Sequence, residues 1–186
     1  MKLLILAVLA FEISIMNCFS FPDLVTESER LSARINQEKQ LQKVQKNIEI
    51  GTDGGGNAVF YFSGIELHKV VIEIDLSNRK LVQDFYYKNN RLFLCVETEQ
   101  RFVWNDKKGA FESTNTAIGA EIRYYFQDKQ LEYRIAIDDR KSIERQAELL
   151  EKEKFMQKES TLFIETIKSP SVNLESVIRG NNKLDK

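Results

Sequence analysis

A chain of 186 residues with 42% hydrophobic and 30% charged side chains carries enough apolar material for one domain with a sizeable core, which argues against a fully disordered protein. Its 27 basic and 28 acidic residues leave a formal charge of -1, so no global field draws it onto phosphate backbones, and nucleic acid is not an expected partner.

Met1 and Lys2 give a short positive start, Leu3 to Met16 form an apolar run broken by Glu12, and Asn17 to Phe21 change character. Residues 1–20 therefore read as a secretory signal peptide, too short to span a bilayer comfortably. Two processing chemistries compete for its end. Cys18 and Ser20 have the small side chains suited to a cut before Phe21, whereas Ile15-Met16-Asn17-Cys18 resembles a bacterial lipoprotein box with Cys18 as the lipidated first residue. Either outcome uses Cys18 before folding and leaves Cys95 alone, which excludes an internal disulfide in the mature chain. The expected destination is secreted or periplasmic, with membrane contact only through a lipid anchor on Cys18.

From Asp23 to Glu49, Leu24, Leu31, Ile35, Leu41, Val44 and Ile48 recur at helical intervals. Residues 21–50 are expected to form one amphipathic helix, capped near Asp23 or Thr26. Its thin apolar stripe suits a helix laid on a sheet better than a coiled coil or partner-binding helix. The run Gly51 to Gly56 is followed by Asn57-Ala58-Val59-Phe60 rather than by Lys-Ser/Thr on a helix. It reads as a linker rather than a phosphate loop.

Residues 57–138 predict an antiparallel β-meander: Val59 to Phe62, His68 to Leu76, Leu81 to Lys88, Arg91 to Glu97, a shorter strand Arg101 to Trp104, and a hairpin Ile122 to Ile137 after a loop containing Gly109 and Gly119. Within it, DFYYKNNRLFLCV at Asp84 to Val96 is echoed by RYYFQDKQLEYRI at Arg123 to Ile135. A primed two-residue turn at Asn89-Asn90 would set Tyr87 opposite Leu92, Tyr86 opposite Phe93 and Phe85 opposite Leu94. One face then carries Phe85, Tyr87, Leu92, Leu94 and Val96, the other Val82, Tyr86, Phe93 and Cys95, so this hairpin should be covered on both sides. In the echo, Ile122, Tyr124, Phe126, Leu131, Tyr133 and Ile135 would share a face, leaving Arg123, Tyr125, Glu132 and Arg134 toward solvent. Residues 139–168 turn helical, with Ile143, Ala147 and Leu150 on one side and Glu148 spaced to pair with Lys152. Thr161 to Ile167 fits either a helix or a last strand, and residues 169–186 read as a mobile tail. The fold class is α+β, a meander sheet with an N-terminal and a C-terminal flanking helix.

The pair FYYKNNRL and YYFQDKQL resembles the YYF-x-[DN]-G-x-L hairpins of small exported proteins in uncharacterised, Bacteroidetes-like bacterial families, and more distantly MORN-type hairpin repeats. The resemblance covers residues 57–138 and a helix on each side, with Asn90 and Lys129 where those hairpins carry Gly. It implies a fold and brings no catalytic residue.

Chemistry is sparse. His68 is the only histidine, so any imidazole-based site must use it, and its place beside Lys69 at a strand start suits a surface residue. Cys95 lies in an apolar run, which suits a buried structural thiol better than a Cys-His nucleophile. Glu66, Glu73, Asp75, Glu97 and Glu99 are spread along strands without forming an evident acid-base pair. No HExxH, GxSxG or multi-cysteine spacing occurs, so neither cofactor nor metal is expected. The dense aromatic residues are most simply core and cross-strand pairs; Tyr125, Tyr86 and Trp104 are the candidates for ligand contact if an aromatic row is exposed. The expectation is an exported non-catalytic binding module for a protein or glycan partner. An extracytoplasmic hydrolase using His68 or a carboxylate pair, and a structural envelope component, are the alternatives.

Overall fold

The hairpin at Asp84 to Val96 closes through Asn89 and Asn90, both in the left-handed region with φ of 53° and 56°. This is the primed turn that its sequence predicts, and asparagine tolerates that conformation better than most side chains. The echo closes in the same way through Asp128 (φ 47°) and Lys129 (φ 72°).

A computed structural model describes residues 20–48, 55–137 and 146–168. Helix α1 (Phe21–Gln37) is followed by strands β1 (Gln42–Ile48), β2 (Gly56–Ser63), β3 (Glu66–Asp75), β4 (Arg79–Lys88), β5 (Arg91–Asn105), β6 (Ala110–Gln127) and β7 (Gln130–Ile137), then by helix α2 (Gln146–Lys168). All seven strands pair antiparallel in sequence order. The architecture is α+β, a meander with a helix on each face. Under α2 lie Phe60, Val70, Ile72, Phe85, Tyr87, Cys95, Tyr124 and Phe126, closed by Met156 and Phe163. Under α1 lie Tyr86, Phe93, Leu94 and Tyr125, closed by Leu24, Leu31 and Ile35.

Three sequence expectations about element boundaries need correction. The N-terminal helix stops at Gln37, and from Gln42 the chain is an edge strand on β2. Leu41, Val44 and Ile48 have helical spacing, but the open backbone edge of β2 offers a full ladder of hydrogen bonds that a solvated helix end could not match. Val44 stays 42% exposed, and Lys43 and Lys46 line an edge that charge protects from further pairing. The helix is capped at Ser20 rather than near Asp23 or Thr26. Its carbonyl accepts from the Asp23 and Leu24 amides, and Pro22 occupies the first turn, where no amide proton is needed. Arg101 to Trp104 is the continuation of β5, and much of the presumed loop after it is β6, with Gly119 at a bulge beside Arg101.

Thr161 to Ile167 continue α2, with the Thr161 and Thr166 hydroxyls donating to the Gln157 and Leu162 carbonyls. Leu150 lies 48% exposed instead of facing the sheet, and Lys152 reaches Glu97 on β5 at 2.8 Å. Ile143, the Ala147 side chain, the signal-like residues 1–19, most of the glycine run and the tail 169–186 lie outside the described residues.

The hairpins share a device that plain alternation misses. Beside each turn an aromatic residue faces a leucine: Phe62 and Leu67, Tyr87 and Leu92, Phe126 and Leu131. The next residue, His68, Phe93 or Glu132, has no opposite number, and pairing resumes as Tyr61 with Lys69, Tyr86 with Leu94, and Tyr125 with Tyr133. Each is a β-bulge, which reverses the facing of everything beyond it. Phe85 therefore meets Cys95 rather than Leu94, and Phe93 and Leu94 both lie under α1. In the echo, Tyr133 and Ile135 join Tyr125 under α1, so the side expected to be solvated is covered. The segment Val59 to Val71 is a third copy of the unit.

The turns are also stitched to one another. Asn90 Oδ1 accepts from the Leu67 amide at 2.8 Å, and the Asn89 amide donates to Glu66 at 3.1 Å. Asn90→Ala removes that acceptor and places a less tolerant residue at positive φ. It is expected to cost about 2 kcal/mol in urea unfolding, with Asn90→Gly milder because it loses only the hydrogen bond. Equal costs for the two variants would remove the turn-strain part of this account.

Candidate functional site

Tyr86 and Tyr125 lie 4% and 1% exposed beneath α1. Tyr125 donates to Glu29 Oε1 at 2.7 Å, and Arg123 joins Glu29 to Glu121. Burial, helped by the Glu29 carboxylate accepting its proton, holds the Tyr125 hydroxyl well above the usual phenol range. Tyr86 accepts from Asn36 at 3.1 Å and donates to Asp84 at 3.3 Å, while Lys69 bridges Asp84 and Asn36. Ser28 and Ser32, both buried, give α1 small side chains where it crosses this aromatic floor. Both tyrosines thus dock α1 to the sheet.

His68, the bulge residue of the first unit, lines a cleft of about 500 Å³ between the end of α1 and the β2–β3 and β4–β5 turns. Leu31, Ile35 and Phe93 supply apolar wall, and Arg34, Glu38 and Glu66 supply charge. The structure therefore brings the histidine and two carboxylates to one cleft, which the strand spacing did not reveal. Among the described residues no side-chain hydrogen bond orients the His68 ring, and the geometry of a positioned general base is not assembled.

Cys95 is fully buried under α2, where His68 does not reach, and burial pushes its thiol well above the ordinary range. Glu73 and Asp75 share Lys80, Glu97 holds Lys152, and Glu99 holds Arg79 and Arg101. These carboxylates work as charge partners within β5, between neighbouring strands and to α2.

Trp104 has a different setting. β4 pairs with β5 only as far as Arg101, and β7 pairs with β6 only from Glu121, so β5 and β6 run on as a two-stranded ribbon. Near its tip Trp104 faces Phe111 across the ladder, with ring centroids 5.0 Å apart and an edge-to-face angle of 76°. Trp104 is 49% exposed, Phe111 46% and Val103 40%. Polar contacts fix the tip: Asn105 Oδ1 accepts from the Lys107 and Lys108 amides, and Glu112 accepts from Asn105 and Lys108 at 2.7 Å. The Lys108 contact holds Glu112 below the usual carboxylate range. Of the three aromatic candidates, Trp104 alone is presented to solvent, on a tip whose shape is set in advance. Phe111 is one of the dense aromatic residues of the sequence but not one of the three candidates, because its pairing with Trp104 crosses a turn in what reads as loop.

Among the described residues no helix is long and apolar enough to cross a membrane, and no cluster of His, Cys, Asp or Glu could hold a metal ion. No family model, curated protein or solved structure matches this chain.

Proposed function

We propose that the protein acts outside the cytoplasm as a non-catalytic binding module, and that it meets a protein or glycan partner through the Trp104–Phe111 pair on the β5–β6 ribbon. The observation that carries this reading is the exposed aromatic pair on a braced tip. Aromatic anchors of this kind dominate interface energetics, and exposed pairs have little reason to persist for folding alone. The signal-like start supports export, and intact mass of the native protein separates a chain beginning at Phe21 from one lipidated on Cys18. An envelope role for the N-terminal helix is less favoured, because α1 commits Leu24, Leu31 and Ile35 to the sheet.

Trp104 is the single tryptophan, so its emission reports on the ribbon directly. A partner recovered from the native envelope is expected to shift that emission. Trp104→Ala is expected to weaken its binding about 30-fold, while changing unfolding stability by less than about 1 kcal/mol. Recovery of the same partners with the same affinity by a Trp104→Ala, Phe111→Ala double variant would remove the ribbon from the interface.

A further inference from the structure

A second cleft, of about 310 Å³, lies on the α2 side of the sheet, between that helix's last turns and the β4–β5 and β6–β7 hairpin turns. Three cations from three separate elements line it: Arg91 at the start of β5, Lys129 in the β6–β7 turn and Lys168 at the end of α2. Glu165 is the one carboxylate in the wall, and Asn90 and Gln157 add neutral carboxamides beside the apolar side chain of Ile164. Asp128 stands 3.6 Å from Arg91, with both side chains largely exposed, which screens that pair. The negative end of the helix dipole accounts for Lys168 alone. It does not account for Arg91 and Lys129, brought to the same cavity by two different turns.

We propose that this cleft binds a compact anion, a phosphate or carboxylate group on a small organic body. A ligand of that charge would offset the excess of cations, and charge-assisted hydrogen bonds from Arg and Lys are the strong ones. The cavity stands at the lower end of small-ligand volumes, so it suits one such group and a ring-sized carrier rather than a polymer. It lies at the turn end of the sheet, away from the Trp104 ribbon, and binding here does not depend on the partner proposed for that ribbon.

Calorimetric titration of the mature chain at low ionic strength, with inorganic phosphate in one arm and glucuronate in the other, tests the proposal. Saturable binding at one site per chain is expected in at least one arm. Phosphate alone assigns a phosphoryl ligand, glucuronate alone a carboxylate sugar, and both together a site selective for charge. The double variant Lys129→Asn, Lys168→Gln keeps a residue tolerant of positive φ in the turn and is expected to weaken binding about tenfold or more. Its circular dichroism and urea midpoint show that it has folded. Absence of saturable binding in both arms, or undiminished affinity in the folded double variant, overturns the proposal.

Discussion

Replacing Phe163 by alanine is expected to cost about 3–5 kcal/mol of folding stability, the range for deleting a fully buried aromatic side chain. Phe163 has no exposed surface, and its ring meets Phe60 at 5.9 Å and 77° and Phe85 at 5.4 Å and 72°, both edge to face. Each such pair contributes about 0.5–1.5 kcal/mol beyond area burial. The three rings join α2 to β2 and β4, and the neighbours that could collapse into the hole, Val70, Ile72 and Cys95, stand on strands whose register is fixed by pairing on both sides. Relaxation should therefore be small and the cavity cost near its full value. Since domains of this size are stable by about 5–15 kcal/mol, the variant should sit close to unfolding at ordinary temperature. Urea titration followed by circular dichroism measures the loss. Phe163→Leu, which leaves a smaller void, should cost about half as much if alanine proves too unstable to measure. Phe111→Ala on the exposed ribbon is the matched control, with a change below about 1 kcal/mol. A Phe163→Ala loss no greater than that of the control would show that α2 contributes little to the core.

What the sequence made legible was local, and what it hid depends on pairing. Asn89-Asn90 announces a primed turn because asparagine accepts positive φ better than most side chains, and Asp128-Lys129 is legible as the same turn through its place in the echo, although lysine has no such preference. The apolar doubling of Phe85, Tyr86 and Tyr87 predicts cover on both faces for the same local reason. The bulges at His68, Phe93 and Glu132 leave no comparable mark, because a bulge is a relation between two strands. Missing them reversed the expected facing of Leu94, Cys95, Tyr133 and Ile135. A signal for the third unit did exist: three aromatic residues followed, after four positions, by leucine, as in Phe60-Tyr61-Phe62 and Leu67. The Ser63-Gly64-Ile65-Glu66 turn disguised it, because only Gly64 there has positive φ, at 59°. The docking roles of Tyr86 and Tyr125 were illegible for another reason. Each depends on a helix far away in the chain, through Asn36 and Glu29. Among the described residues, Trp104 keeps its exposure because β4 stops pairing with β5 at Arg101, which leaves that edge of the ribbon open.

Stability should fall steeply in alkali, and the sign follows from two groups under α2. Burial pushes the Tyr87 hydroxyl and the Cys95 thiol well above their ordinary values, so the folded protein keeps both protons where an unfolded chain would release them. A folded value raised above the unfolded one gives stability that is fully present below the unfolded value and is lost as pH rises beyond it. The decline should begin above about pH 8.5, where an unfolded thiol ionises, and steepen above about pH 10 as tyrosine joins. Each group removes about 1.4 kcal/mol per pH unit over the range in which an unfolded chain has lost its proton and the folded protein keeps it. Tyr86 and Tyr125, also raised by burial, act in the same direction, with smaller shares because their hydroxyls meet partly solvated groups at the edge of α1. Lys152 adds to the fall at higher pH still: burial disfavours its charge, but the Glu97 carboxylate outweighs burial and holds its proton. Urea midpoints across this range measure the slope, and tyrosinate absorbance should rise in step with unfolding rather than ahead of it. Tyr87→Phe and Cys95→Ala should each flatten the decline by the share of one group. A slope unchanged in the double variant, or a Cys95 thiol that reacts in the folded protein at the rate of a free thiol at about pH 9, would place the alkaline sensitivity elsewhere.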